Sequence, residues 1–196
     1  MARTGLTGDE LKARAVDVAG GRIRLVGYDK FRLSDVARDM GISHAALYAH
    51  FADKAALLDA VTEQWVSEVG REVGGMVSSA DEPGDRIIEW FVRLYRMKRA
   101  KALDDPELHR AFGVAAELNK SFVTAHLLSL FDQLSALLTE AGSKNPNEDA
   151  RLMYKATAAF HHPVLVARAA QNDDEAELRH IVKIIWLGMQ SSSGAS

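Results

Sequence analysis

Apolar residues recur at spacings of three and four along nearly the whole chain, and nowhere do apolar and polar residues alternate with period two over strand length. The first pattern lines one face of a 3.6-residue helix, whereas a half-buried sheet would need the second. The expected fold class is therefore all-α. Leu11, Ala15, Val18, Ala19, Ile23 and Val26 form the first stripe, and Gly27 closes it. Gly20 and Gly21 interrupt that helix, each at a cost of about 1 kcal/mol relative to Ala, and leave room for another backbone to approach. A short second helix runs from Leu33 to Met40, with Val36 and Ala37 inward and Gly41 just past its end. Ser43 caps a third, with Leu47 and part of Tyr48 inward. Asp53 caps a fourth, which carries Leu57, Leu58, Val61, Trp65 and Val69.

Proline punctuates the remainder. Asp105-Pro106 and Asn145-Pro146 each read as an N-cap followed by proline at the first helical position, where the missing N–H costs nothing; Glu82-Pro83 is a weaker version. Gly74 to Glu82 is the most polar and flexible stretch and separates a compact N-terminal unit from the rest. Ile87, Ile88, Phe91, Leu94 and Tyr95 make the next stripe, and Phe122 to Leu138 is apolar over more than half its circumference. Leu152, Ala156 and Phe160, then Leu178, Val182, Ile185 and Met189, make the last two. Pro163 falls inside what reads as a continuous helix and should kink it. The tail SSSGAS has a disordered composition.

With 196 residues, 47% of them hydrophobic, the chain can bury a sizeable core. It has no cysteine, which removes disulfides, thiolate metal sites and cysteine nucleophiles. No leader-like start and no run long enough to span a bilayer is evident, so a soluble cytoplasmic protein without a membrane role is expected. The net charge of −3 announces no polyanion, and Met1 to Ala60 carries nine Lys/Arg against eight Asp/Glu. Any nucleic-acid function must therefore come from where charges are placed, since an acidic unit can mask a local basic face.

Leu33–Met40, a turn at Gly41 and a second short helix from Ser43 to Ala49 make a helix-turn-helix, whose second member can enter a major groove. Ser43, His44, Ala45, Ala46 and Ala49 are small or polar and face outward. His44 and His50 are six residues apart, about 240° around a helix, so they do not form a chelating pair; no metal and no cofactor is expected. Without a family, two short apolar helices around a glycine are ordinary packing more often than a DNA reader.

The stretch from Leu11 to Leu58 resembles the DNA-binding domain of the tetracycline-repressor (TetR) family of bacterial transcription factors. The resemblance rests on Gly27-Tyr28, Asp35-Val36-Ala37, Gly41-Ile42-Ser43, Leu47-Tyr48-Ala49-His50-Phe51, Lys54 and Leu57-Leu58, in order and without gaps. It implies that His44, Ala45, Ala46 and Tyr48 stand where members touch bases or the adjacent backbone, and that Ser43, His50 and Lys54 stand at phosphates. Phe31-Arg32 departs from the usual Thr/Ser pair, so that N-cap is lost and Arg32 is a candidate phosphate clamp. Ala45 stands where Gly or Pro is common. Only His44 offers a polar group suited to a base edge, while Ala45 and Ala46 suit thymine methyls, so affinity should come largely from phosphates and DNA shape.

The resemblance further implies a homodimeric, ligand-responsive repressor on a near-palindromic operator in double-stranded DNA. Residues 1–52 would bind DNA. Residues 53–196 would sense a small-molecule effector and dimerise through the last two helices. Candidate pocket residues are Trp90, Phe112, His126, Phe160, His161 and His162; adjacent helical residues diverge by about 100°, so His161 and His162 cannot both face one ligand. The crowding of Arg93, Arg96, Lys98, Arg99 and Lys101 reads as a helix C-terminus answering its dipole. No nucleophile elbow, phosphate loop or metal motif supports an enzyme. The competing reading is a helical interaction or small-molecule-binding protein with a degenerate helix-turn-helix.

Overall fold

The computed structural model describes residues 7–74 and 82–193, and among them there is no strand. The helices are α1 (Gly8–Val26), α2 (Leu33–Met40), α3 (His44–Tyr48), α4 (Lys54–Gly74), α5 (Pro83–Asp104), α6 (Pro106–Glu117), α7 (Ser121–Glu140), α8 (Pro146–Ala156), α9 (Pro163–Ala169) and α10 (Glu175–Ser193), with a 3-10 turn at Ala158–Phe160. The expected boundary at Gly74 to Glu82 falls mostly on residues 75–81, outside the described residues, as does the side chain of Val69.

Local signals set most helix ends. Thr7 and Glu10 close a capping box at the start of α1: the Glu10 N–H donates to Thr7 Oγ1 (3.3 Å) and the Thr7 N–H to Glu10 Oε2 (2.7 Å). Gly27, at φ 86°, ends α1, and Gly41, at φ 66°, ends α2 in the left-handed region that glycine enters without steric cost. Ser43 accepts from the Ala46 N–H (3.1 Å) and Asp53 from the Ala56 N–H (2.8 Å). Pro83, Pro106, Pro146 and also Pro163 occupy first-turn positions.

Several expectations are corrected. Pro163 does not kink a long helix: α8 ends at Ala156, a 3-10 turn follows, and Pro163 opens α9, where its missing N–H is harmless. Asp105 and Asn145 make no side-chain cap; the Asp105 carboxylate is taken by Arg24 instead. Gly20 admits no backbone, only the Arg24 and Val61 side chains at ordinary contact distance, and Gly21 faces open space. Ser191–Ser193 continue α10 rather than fraying. At 20 residues α7 is long and apolar enough to cross a bilayer, contrary to the length expectation. It is nonetheless a packed helix whose inward face of Val123, His126, Leu130, Leu134, Leu137 and Leu138 is buried against its neighbours.

Two hydrophobic clusters organise the chain. The first joins the inward faces of α1, α2, α3 and α4 to Leu108, Phe112 and Ala115 of α6 and Val123 of α7. The second gathers α5, α7, α8 and α10 around Trp90, Phe91, Leu134, Met153 and Val182. Helix α6 thus belongs to the same core as the helix-turn-helix. Its first turns are also tied to the end of α1: Asp105 receives Arg24, Glu107 accepts the Tyr28 N–H (2.7 Å), and Arg110 pairs with Asp29 (2.9 Å).

Candidate nucleic-acid interface and a buried polar centre

The α2–α3 pair is held from beneath. Leu33, Val36, Ala37 and Met40 of α2 and Leu47 of α3 are buried against α1 and α4. Burying Leu47 alone contributes about 1.5–3 kcal/mol. That one inward anchor frees the rest of the five-residue α3 to face outward: His44, Ala45 and Tyr48 are exposed and Ala46 half-buried. The His44 and Tyr48 rings stand 6.1 Å apart on one face, as residues four apart on a helix must. No acidic side chain lies on α3.

The flanking candidates differ in freedom. Arg32 is exposed and makes no side-chain cap at the start of α2. Ser43 is exposed, but its hydroxyl is committed as the cap of α3. His50 is half-buried beside the first turn of α1, where a Cβ on Gly8 would meet its ring at 3.4 Å. Lys54 opens α4 with its Nζ donating to the Asp29 carbonyl (3.1 Å) and lying 5.8 Å from the centre of the Phe31 ring. Phe31, the departure from the family's usual residue, is buried at the joint and supplies the floor under Lys54.

The effector candidates separate. Trp90 belongs to the second cluster, with its indole N–H donating to Gln133 (3.2 Å) and its ring edge-on to Phe91. Phe160 packs against Tyr95, and His162 is exposed. Trp90 and Phe160 share the second cluster, whereas His162 lies outside it on the surface. His161 turns inward, its ring stacked on Tyr154 at 3.8 Å and its Nε2 bonded to the Tyr154 carbonyl at 2.8 Å.

Phe112, His126 and His161 meet around a residue that the sequence reading placed on a solvated helix end. Lys98 is 2% exposed. Its neighbours in sequence do find partners: Arg93 with Glu89, Arg96 with Glu175, Lys101 with Glu68, and Arg99 with the Ala170 carbonyl. Lys98 instead faces His126 Nε2 at 3.3 Å and the Phe112 ring at 4.5 Å, and among the described residues no carboxylate pairs with it. Removal from water pushes its pKa down to about 7. Burial, aided by the Lys98 charge, takes His126 to about 3 and His161 to about 4, and it also lowers His109. His109 Nε2 bonds the Pro163 carbonyl (2.8 Å), while its Nδ1 is buried without a partner, as is the indole N–H of Trp65 beside it. The four-residue spacing between Lys98 and Ala102 was the available clue, since it sets Lys98 on the inward face of α5.

Two family descriptions match the sequence: "Bacterial regulatory proteins, tetR family" over residues 17–61 and "Tetracyclin repressor-like, C-terminal domain" over residues 83–182. Among curated proteins none matches. Solved structures similar in fold include a tetR-family transcriptional regulator from Pectobacterium atrosepticum (20% identity, 93% of this chain and 94% of that one, TM-score 0.67). A protein of unknown function from Rhodococcus sp. RHA1 is 24% identical over 96% and 99% of the two chains, with a TM-score of 0.67. A tetR-family regulator from Mesorhizobium loti is 18% identical over 95% and 98%, with a TM-score of 0.66.

Proposed function

The chain belongs to the tetR family of bacterial transcription regulators, with a helix-turn-helix DNA-binding domain followed by a tetracycline-repressor-like C-terminal domain, and from that premise we propose that it is a cytoplasmic, ligand-responsive repressor acting as a homodimer on a near-palindromic operator. The observation that carries this is the outward face of α3, which is capped, free of acidic side chains and held by Leu47. In the major groove His44 would reach a base edge, Ala45 and Ala46 thymine methyls, and Tyr48 the adjacent backbone. Arg32, Ser43, His50 and Lys54 would meet phosphates. Such sparse base contact leaves much of the affinity to charge and DNA shape.

Two copies are needed to read two half-sites. The surface that would join them is supported by exposed apolar residues on α8 and α10: Leu152 with Ala156, and Ile184 with Leu187 and the exposed Gly188. This refines the expected stripes, because Phe160, Leu178 and Val182 are already buried within one chain. An effector would act by binding more tightly to the dimer whose recognition helices no longer match the half-site spacing. Helix α6 would carry the change, since it borders Lys98 through His109 and Phe112 and grips the end of α1 through Asp105, Glu107 and Arg110.

Fluorescence anisotropy with DNA from upstream of its own gene tests the reading. A salt-sensitive, sequence-specific complex with two chains per site is expected. Retention of no upstream fragment would favour the interaction-protein alternative, and a strict monomer at micromolar concentration in sedimentation would remove the symmetric operator.

A further inference from the structure

A buried ammonium without a carboxylate is costly, and so is a buried imidazole nitrogen without a partner. Both occur in this interior, near enough for the Lys98 charge to act on His109. Lys98 has one imidazole and one aromatic face for company, and His109 Nδ1 has nothing. Around them stand His126 from α7, His161 from the turn before α9, and one turn away Lys101 over Trp65, whose charge is met by Glu68. A structural role would pair such groups with Asp or Glu, as the surface network of Arg96, Arg179, Glu89 and Glu175 does a few turns earlier. Hydrogen-bonding capacity left unspent inside a core is what an anionic ligand can use.

There is also a way in. A groove of about 500 Å3 runs between α6 and α9, lined by Ala102, His109, Gly113, Pro163, Val164 and Ala167. That lies within the about 300–1,000 Å3 typical of small-molecule sites. Ala102 is one turn beyond Lys98 on the same face of α5, and His109, which lines the groove, is near enough to feel the Lys98 charge. The lining is mainly apolar and suits a hydrocarbon body, with Arg110, Glu117 and Arg168 as its charged members.

We propose that the α6–α9 groove leads to a binding site for a small monoanionic carboxylate, whose charge is held by Lys98 and His109 and whose apolar body lies in the groove. With its Nε2–H already on the Pro163 carbonyl, His109 would take up a proton from solvent as the anion binds and present an Nδ1–H to it, beside the ammonium of Lys98. The proposal rests on the reading of the C-terminal helices as an effector-sensing unit, and it names the chemical class of the effector.

Calorimetry on the full-length protein tests it with straight-chain acids from butanoate to dodecanoate and with benzoate, each compared with its primary amide. At least one acid should bind about tenfold or more tightly than its amide. Lys98→Met, which keeps the stem and removes a desolvated cation, should erase that preference. His109→Gln should reduce it and serves as the second variant. Equal binding of acid and amide, no binding by any acid, or a preference that survives Lys98→Met would overturn the proposal. DNA binding is read separately by anisotropy. A protein that prefers acids yet binds no DNA sinks the regulator reading alone, and one that binds DNA without the acid preference sinks this inference alone.

Discussion

The outer face of α3 and the interior around Lys98 are both candidates for recognition, and they are built in opposite ways. The α3 face is made of consecutive residues with short side chains, already satisfied caps and a single buried anchor, so exposing it costs the fold almost nothing. The Lys98 centre draws on α4, α5, α6, α7 and the turn before α9, and it keeps polar groups away from water with their bonding capacity partly unused. A surface that reads a polymer can be optimised without touching stability. An interior that receives a small molecule must hold part of its stability in reserve until the ligand arrives.

The largest effect should come from the anchor of the first region. Leu47→Ala removes a side chain that is 1% exposed and alone fixes α3 from below, so urea unfolding should show a loss of about 2–5 kcal/mol. A much smaller loss, with DNA binding intact, would mean that α3 is held by its caps and not by its core contact.

The second effect tests the reserve in the other region. Lys98 has a folded pKa of about 7 against an ordinary 10.5, so between those values the unfolded chain binds the extra proton and stability rises with pH. The groups around it are silent there. His109, His126 and His161 are lowered and stay neutral, and Tyr154 is pushed upward by burial. Thermal melts from about pH 7 to about pH 10 should therefore climb in the wild type by an amount worth a few kcal/mol. The Lys98→Met variant should start higher and stay nearly flat. A wild type that is flat over this window would show that Lys98 is solvated or paired.

Third, Lys54→Ala should weaken DNA binding and lower the salt slope by about one, because it deletes one cation at the rim of α3. An unchanged slope would leave Lys54 as a strut between Asp29 and Phe31 only. Tyr48→Phe should weaken binding less and leave the slope unchanged, since it removes a hydroxyl and no charge.

The same contrast governs what the sequence could convey. Gly41, Ser43, Asp53 and the helix-initiating prolines act on neighbours within four residues, so they are readable in order, and the motif around Leu47-Tyr48 follows from them. The Thr7–Glu10 capping box was equally local and was missed only because the apolar stripe starts later, at Leu11. Lys98 was misread because burial is a property of helices brought together from distant positions. A run of Arg and Lys on one helix looks uniform until its partners are known: Glu175 for Arg96, Glu68 for Lys101 and, among the described residues, no carboxylate for Lys98. His161 and His162 part inward and outward, but in the turn between two helices and not by the divergence of adjacent helical residues. Which of them turned inward depended on Pro163 opening a new helix, a choice that the continuous apolar pattern concealed.

The smallest effect concerns the helix beneath both regions. Gly21 lies mid-helix in α1, exposed, with nothing within 4 Å of where a Cβ would stand. Gly21→Ala should therefore add about 1 kcal/mol through helix propensity and a more restricted unfolded chain. Gly27→Ala is the opposing control, because φ there is 86° and the new Cβ would come within 3.3 Å of the Glu107 carboxylate that receives the Tyr28 N–H. It should destabilise the protein and loosen the grip of α6 on the helix-turn-helix. If Gly21→Ala stabilises the chain in urea but leaves DNA affinity and its response to acids unchanged, α1 is a passive support. If stabilisation comes with a blunted response, the pliancy of α1 is part of how the buried centre speaks to α3, and the two regions are less separate than their construction implies.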